Sequence, residues 1–278
     1  MATINDRAIH LGIACLRGMP LNPAIVVTGA SSGLGREIAR IAAREGCFLL
    51  LIARSDEALG ALVAELAAAG ARAAALGTDL LDRHAIERIE KALSERDLYC
   101  DVLVNSAGFG LFGPAANLPA SQQLGLIDVN IRALTELSLR FLPGMVERRR
   151  GGILNLGSIT GYVPGPNMAV YYASKAYVNS FSAALNGELA GTGVTITCLA
   201  PGVVRTPFFQ NCSVGATQVM KFMPRSNAAA TAEAGWRGFR AGKRMVVPRP
   251  VDRLAVSIFR LMPTGIMARI VNAVQRPR

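Results

Sequence analysis

The feature that most constrains this chain is an alternation of two periodicities. Short apolar runs recur between longer stretches with helical spacing. AIVVT (24–28) reads as a strand. SGLGREIARIAAREG follows as an amphipathic helix, with Ile38 and Ile41 on one face and Arg36, Arg40 and Arg44 on the other. CFLLLIA (47–53) is apolar throughout, as a strand covered on both faces must be. SDEALGALVAELAAAG is a second helix, with Ser55 as candidate N-cap, acids in its first turn and Gly70 as its stop. The pattern continues through ARAAALGTD (strand three), DRHAIERIEKALSER (helix three), DVLVNSAG (strand four and its exit loop) and a helical stretch around 120–149. GILNLGSI (152–159), a helix from 169 to 191, VTITCLAPG (194–202) and MVVP (245–248) complete it. Strands alternating with helices of this length imply βαβ units and a parallel sheet.

At 278 residues and 51% apolar, the chain can bury one large core. The fold class is α/β: a single Rossmann-type, doubly wound parallel sheet with helices on both faces, spanning residues 24–249. No uninterrupted apolar run is long enough to span a bilayer. Residues 1–23 have no basic start and no small-residue cleavage site, so they read as a cytosolic lead-in and the protein as cytoplasmic. Five scattered cysteines (Cys15, Cys47, Cys100, Cys198, Cys212) form no CxxC pair, which fits thiols in a reducing compartment. His10 and His84 are the only histidines, so neither a His-based triad nor a metal site is expected.

In open parallel sheets ligands bind at the carboxyl ends of the strands, and the motifs fall at such ends or on the helix that follows. Thr28-Gly29-Ala30-Ser31-Ser32-Gly33-Leu34-Gly35 joins strand one to its helix. Its glycines allow a tight turn and close approach of a pyrophosphate, and the helix N-terminus offers unpaired N–H groups to the anion. At the end of strand two, where an acid would hold a ribose 2′-hydroxyl, the chain carries Arg54 followed by Ser55. An acid would repel a 2′-phosphate, whereas Arg54 can pair with it, and Ser55 and Arg36 can add contacts. The expected cofactor is therefore NADP(H) rather than NAD(H).

Tyr171 and Lys175 lie four apart on a predicted helix and so share a face. A neighbouring ammonium favours the phenolate and brings tyrosine toward working pH as a general acid/base. Ser158, at the end of strand five, can hydrogen-bond a substrate oxygen. Alone, a tyrosine and a lysine at this spacing usually form a surface pair. The glycine turn and Ser158 give the spacing meaning.

With those residues in place, the sequence resembles the short-chain dehydrogenase/reductase family over about residues 23–206. TGASSGLG matches its cofactor loop, and Asp79, followed by Leu80, matches its adenine-contacting acid. Asn105-Ser106-Ala107-Gly108 matches its NNAG segment, with Ser106 departing from the second Asn. Asn130, Ser158, Tyr171 and Lys175 match its catalytic tetrad, and Pro201-Gly202-Val203-Val204-Arg205-Thr206 its nicotinamide-holding segment. The resemblance implies that Tyr171 exchanges the proton while the nicotinamide exchanges a hydride. It implies that Ser158 steadies the substrate oxygen, Lys175 lowers the tyrosine pKa and binds the nicotinamide ribose, and Asn130 holds a water leading to solvent. Tyr172, three residues from Lys175, is assigned to packing or substrate lining.

Residues 207–226 correspond to the family's lid and carry Phe208, Phe209, Val214, Val219, Met220, Phe222 and Met223. Such a lid suits a lipophilic substrate, or these residues pack against the sheet. Phe109, Leu111, Phe112 and 162–168 are candidates to line the same pocket. A carbonyl reductase or alcohol dehydrogenase acting on a 3-oxoacyl or similar ketone is the leading expectation. A terpenoid or steroid alcohol/aldehyde dehydrogenase is the alternative, and a cofactor-sensing scaffold without activity a distant third.

Of the net charge of +11, residues 221–278 carry +10, from twelve Lys/Arg against Glu233 and Asp252. Within them, 250–278 forms a basic amphipathic tail with Arg253, Arg260 and Arg269, interrupted near Pro263 and Gly265. It reads either as peripheral contact with anionic lipid or as packing on a neighbouring subunit of a homodimer or homotetramer. No nucleic-acid-reading motif is present, so nucleic acid is not an expected partner.

Overall fold

The structure, a computed structural model, describes residues 21–208 and 225–274. Its frame is a parallel sheet with strand order β3-β2-β1-β4-β5-β6-β7. The strands are β1 (Asn22–Thr28), β2 (Phe48–Ala53), β3 (Ala73–Gly77), β4 (Leu98–Asn105), β5 (Gly152–Leu156), β6 (Thr195–Leu199) and β7 (Met245–Val246). β1 and β4 pair from Asn22↔Leu98 to Thr28↔Asn105, so both end at the same level. The winding direction reverses between these two strands, and their diverging exits open a crevice.

On one face the sheet packs against α1 (Gly33–Ala42) and α2 (Asp56–Ala68). The other face is covered by α3 (Ala85–Ser94), α5 (Leu134–Glu147) and α6 (Ala169–Glu188). The central strands are sealed on both sides: Ala24, Val26, Val27, Leu49, Leu51 and Ile52 are fully buried. Ser55 caps α2 as expected, its Oγ accepting from the Ala58 N–H at 3.2 Å.

Several boundaries differ from the sequence reading. β1 begins two residues earlier, at Asn22, and β4 three residues earlier, at Leu98, because both edges find ladder partners. β3, β5 and β6 end sooner, since their last predicted residues turn into the crevice. The helical stretch around 120–149 is three pieces: α4 (Ala120–Ile127), a π turn (Asp128–Ala133) and α5.

A further helix, α7 (Ala228–Arg240), has no counterpart in the sequence reading. Its glycines look like helix breakers, but they allow contact with the sheet. A Cβ on Gly235 would meet Leu199 Cδ2 at 2.5 Å, and one on Gly238 would meet Val246 Cγ2 at 2.3 Å. Trp236 then buries beside Phe239, and its Nε1 donates to Glu45 Oε1 at 2.7 Å. The tail folds as α8 (Pro250–Leu261) and α9 (Thr264–Val274), separated where Pro263 interrupts the pattern. Among the described residues no helix is long and apolar enough to cross a membrane.

Candidate active site

The crevice is built first from backbone that admits no side chain. Gly29 has φ +66°, and a Cβ there would sit 2.8 Å from Ala107 Cα. Thr28 holds the two strand exits together. Its hydroxyl donates to Val104 O at 3.2 Å and accepts from the N–H groups of Ser106 and Ala107, both at 3.1 Å. Gly33 has φ +56°, and a Cβ there would lie 3.3 Å from Thr206 Cγ2, so the loop meets the segment after β6. Gly35 is structural: its Cβ would strike Gly29 O at 2.4 Å. Ser32 is the N-cap of α1 but makes no side-chain cap. The first N–H groups of that helix are therefore left for an anion, beside Ser31, Ser32, Gly33 and Leu34 in the crevice wall. A wall of backbone with uncapped N–H groups fits a pyrophosphate.

Arg54 lines the crevice at the end of β2. It has no hydrogen bond or ion pair among the described residues. Arg36 behaves differently: its Nη2 pairs with Glu65 Oε2 at 3.1 Å. Glu65 also takes Arg40 at 2.6 Å, and these hydrogen bonds, that from Arg40 foremost, hold its carboxyl down at about 2. Arg36 is thus turned to α2, and Arg54 remains the uncommitted cation. Asp79 and Leu80 line the same end. Asp79 Oδ1 is tied to the Leu81 N–H at 3.0 Å, which fixes the turn after β3.

Ser158, Tyr171 and Lys175 meet at the other end of the crevice, with Ala107, Gly108, Pro201, Gly202 and Thr206 around them. The Lys175 ammonium lies 5.8 Å from the Tyr171 ring centroid and donates to Leu156 O at 2.7 Å. Burial pushes its pKa down to about 8. The Ser158 hydroxyl accepts from both the N–H and the hydroxyl of Thr160, at 3.1 and 2.8 Å. Asn130 sits behind this group, on the π turn. Its Nδ2 donates to Phe109 O and Ser174 Oγ at 3.0 and 3.1 Å, and its Oδ1 accepts from the Phe109 N–H at 3.1 Å. Both amide hydrogens are thereby used, so a water at Asn130 would be held by an oxygen acceptor. π turns of this kind recur at functional sites.

Besides Gly35, two expected contacts lie away from the crevice wall. Asn105 is buried beneath it, with Nδ2 donating to Asn155 Oδ1 at 2.9 Å and Ser138 Oγ at 3.0 Å. Among the described residues its Oδ1 is buried without a partner. Val203 packs in the apolar cluster around Tyr171 rather than along the crevice. That cluster also holds Phe109, Leu111, Phe112 and Met168, with the Phe208 ring 5.4 Å from Tyr171. Tyr172 packs edge-on against Tyr171, where a Cβ on Gly165 would collide with its ring. Residues 209–224 of the expected lid, including Phe209, Val214, Val219, Met220, Phe222 and Met223, lie outside the described residues, as do 1–20 of the lead-in.

The sequence reading missed Asn179. Its Nδ2 donates to Ser158 O at 2.9 Å, and its Oδ1 accepts from the Ser158 N–H at 3.4 Å. It also fills space that only glycine leaves: a Cβ on Gly157 or Gly161 would meet the amide at 2.2 or 2.5 Å. The signal was present in the spacing. Tyr171, Lys175 and Asn179 recur every four residues and so line one face of α6.

Comparison with known proteins agrees with this architecture. Residues 23–215 match the family model described as short chain dehydrogenase. The chain belongs to the short-chain dehydrogenase/reductase family and is an oxidoreductase of the class that interconverts alcohols and carbonyls with a nicotinamide cofactor. It is 37% identical over 190 residues to sulfoacetaldehyde reductase 2 of Chromohalobacter salexigens, covering 68% of this chain and 75% of that one. It is 39% identical over 181 residues to an NADP-dependent 3-hydroxy acid dehydrogenase of Salmonella typhi, covering 65% and 72%. Among solved structures, a short-chain dehydrogenase from Sphingobium yanoikuyae in complex with NADPH superposes with a TM-score of 0.75 at 28% identity, covering 87% of this chain and 97% of that one.

Proposed function

We propose that this protein is an NADP(H)-dependent oxidoreductase that interconverts a carbonyl and an alcohol on a lipophilic substrate, with Tyr171 as general acid/base. The observation that carries this reading is the convergence of Tyr171, Lys175 and Ser158 at one end of the crevice, with Arg54 uncommitted at the other. When bound, the nicotinamide supplies or accepts the hydride. Tyr171 gives or takes the proton at its phenolic oxygen. Lys175, a cation without a carboxylate partner among the described residues, favours the phenolate by its field. Ser158, its lone pairs taken by Thr160, turns its own hydrogen from the Pro201 carbonyl, to which it donates at 3.4 Å, to the substrate oxygen.

Support for NADP(H) comes from Arg54 and from relatives whose names specify it: the Salmonella enzyme and the Sphingobium complex. Support for a lipophilic substrate comes from the wall around Tyr171. Phe109, Phe208 and Val129 line the crevice near Tyr171, whereas the lining cations are Arg54 and Lys175. Two relatives are named for acidic compounds, sulfoacetaldehyde and 3-hydroxy acids, but among the described lining residues no spare cation stands at the substrate end. The 3-oxoacyl reading and the steroid or terpenoid reading share this wall. A homo-oligomer belongs to the same proposal, supported by Leu124 on α4 and Leu139 on α5, which are 60% and 53% exposed.

The test is a screen of NADPH oxidation and NADP+ reduction over acyl, steroid and terpenoid carbonyls and alcohols. Turnover of long apolar members with little activity on short acids is expected. Activity confined to small anionic substrates would refute the lipophilic assignment.

A further inference from the structure

The last two helices, α8 and α9, carry a surface that the enzyme's chemistry does not use. On α8, Leu254, Ile258 and Leu261 are 63%, 46% and 85% exposed. At about 100° per residue they fall on one stripe, with Arg253 and Arg260 along one edge. On α9, Ile266 and Ile270 are 50% and 45% exposed and share a face, with Arg269 beside them. The stripe is not the core side of either helix. Val256 and Met267, at 7% and 4%, supply that side.

The charge on this surface has one sign. Among the described residues Arg253, Arg260 and Arg269 have no carboxylate partner. Arg253 donates to the carbonyls of Val247 and Pro248, and Arg260 to the Tyr162 hydroxyl. The one acid of the two helices, Asp252, is buried at 4% and neutralised by two hydrogen bonds from Arg249 at 2.8 and 2.7 Å. An isologous contact with a second copy would bring two surfaces of the same positive sign together. An apolar stripe edged by arginine instead matches the boundary between acyl chains and anionic headgroups.

The stripe is also fixed relative to the active site. Arg260 stacks over Tyr162 at 4.9 Å, in the 3₁₀ turn Ile159–Tyr162 that follows Ser158. At the start of α8, Asp252 fills the space beside Gly202 of the crevice wall, where a Cβ would lie 2.7 Å from its carboxylate.

We propose that α8 and α9 form a docking surface for an anionic lipid bilayer, which brings the substrate side of the crevice to the membrane. This deepens the lipophilic-substrate reading, but its test reads binding and not turnover. The full chain is floated with vesicles of phosphatidylcholine alone and of phosphatidylcholine with phosphatidylglycerol. The mixed vesicles should bind at least about tenfold more tightly. Salt at about 1 M, where the Debye length is about 3 Å, should release the protein. Leu254→Ser with Ile258→Ser and Leu261→Ser should lose most of the binding. So should Arg253→Gln with Arg260→Gln and Arg269→Gln, which keeps the test open if the first set fails to fold. Three results would overturn the proposal: no flotation with the mixed vesicles, equal flotation with both kinds, or flotation unchanged in the folded variants. A concentration-dependent dimer abolished by the leucine and isoleucine changes, without flotation, would assign the surface to a second copy instead.

Discussion

The crevice between β1 and β4 and the pair of helices at the C-terminal end solve opposite problems. In the crevice the determinants are backbone collisions. Gly29, Gly35, Gly157 and Gly161 are held to glycine by atoms 2.2–2.8 Å from any added Cβ. In α8 and α9 few such limits exist: Gly265 has nothing within 4 Å, and most of the large apolar side chains face outward. The first region is defined by what it excludes, and so its chemistry can be read from geometry. The second is defined by what it leaves uncovered, and so it points to a partner. Substitutions should therefore cost much in one region and little in the other.

The largest effect is expected at the reacting end. Tyr171→Phe removes the proposed proton carrier while keeping the ring against Phe208, so kcat should fall by about 10²–10⁴-fold. The NADPH dissociation constant, read by fluorescence, should change little. Full activity in this variant would move the acid/base role elsewhere.

Lys175 gives the next effect, through stability. Its ammonium is buried, with its pKa lowered from 10.5 to about 8. Below pH 8 the folded protein bears the cost of a buried charge. Between pH 8 and 10.5 the unfolded chain binds more protons than the folded one, so stability rises with pH. Over that window wild type should gain about 3 kcal/mol relative to Lys175→Met. Denaturant unfolding at pH 7.5 and 10.5 measures this, and a flat difference would contradict the burial of a charged lysine.

Asn179→Leu comes third. It removes two hydrogen bonds to the Ser158 backbone and leaves that buried N–H unpaired, while the carbonyl keeps its bond from the Gly161 N–H at 3.2 Å, at a cost of about 2 kcal/mol. Because the loss displaces the serine, kcat should fall more than KM rises, and Asn179→Gln should restore little, since its extra methylene has no room beside Gly157. Unchanged kcat in a folded Asn179→Leu would make the residue merely structural.

These residues also mark how far the sequence could be read. β2, the Ser55 cap and the shared face of Tyr171 and Lys175 were legible because each rests on local spacing. The NADP(H) expectation was legible for a similar reason: one residue, at one strand end, decides the charge met by a 2′-phosphate. Arg36 was not, because its choice of Glu65 over the crevice depends on how α2 packs on α1. α7 was hidden by glycines that serve packing against Leu199 and Val246. Asn179 was hidden because an asparagine on a helix usually faces water, and only the fold turns it to Ser158. The substrate side was least legible, since its wall is assembled from segments far apart in the chain.

The smallest effect belongs to the C-terminal helices. Leu261→Ser, at a side chain 85% exposed, should change stability by no more than about 0.5 kcal/mol. A loss of several kcal/mol in thermal or denaturant unfolding would mean that the stripe is covered in the free protein, and the contrast with the crevice would fail.

The most direct test of the central assignment is the pair of dissociation constants for NADPH and NADH, measured on wild type and on Arg54→Ala. A charge-assisted contact with the 2′-phosphate should make NADPH bind at least about tenfold more tightly to wild type. In Arg54→Ala most of that preference should disappear, with NADH binding nearly unchanged. Tighter binding of NADH by wild type, or a preference for NADPH that survives the loss of Arg54, would contradict the account.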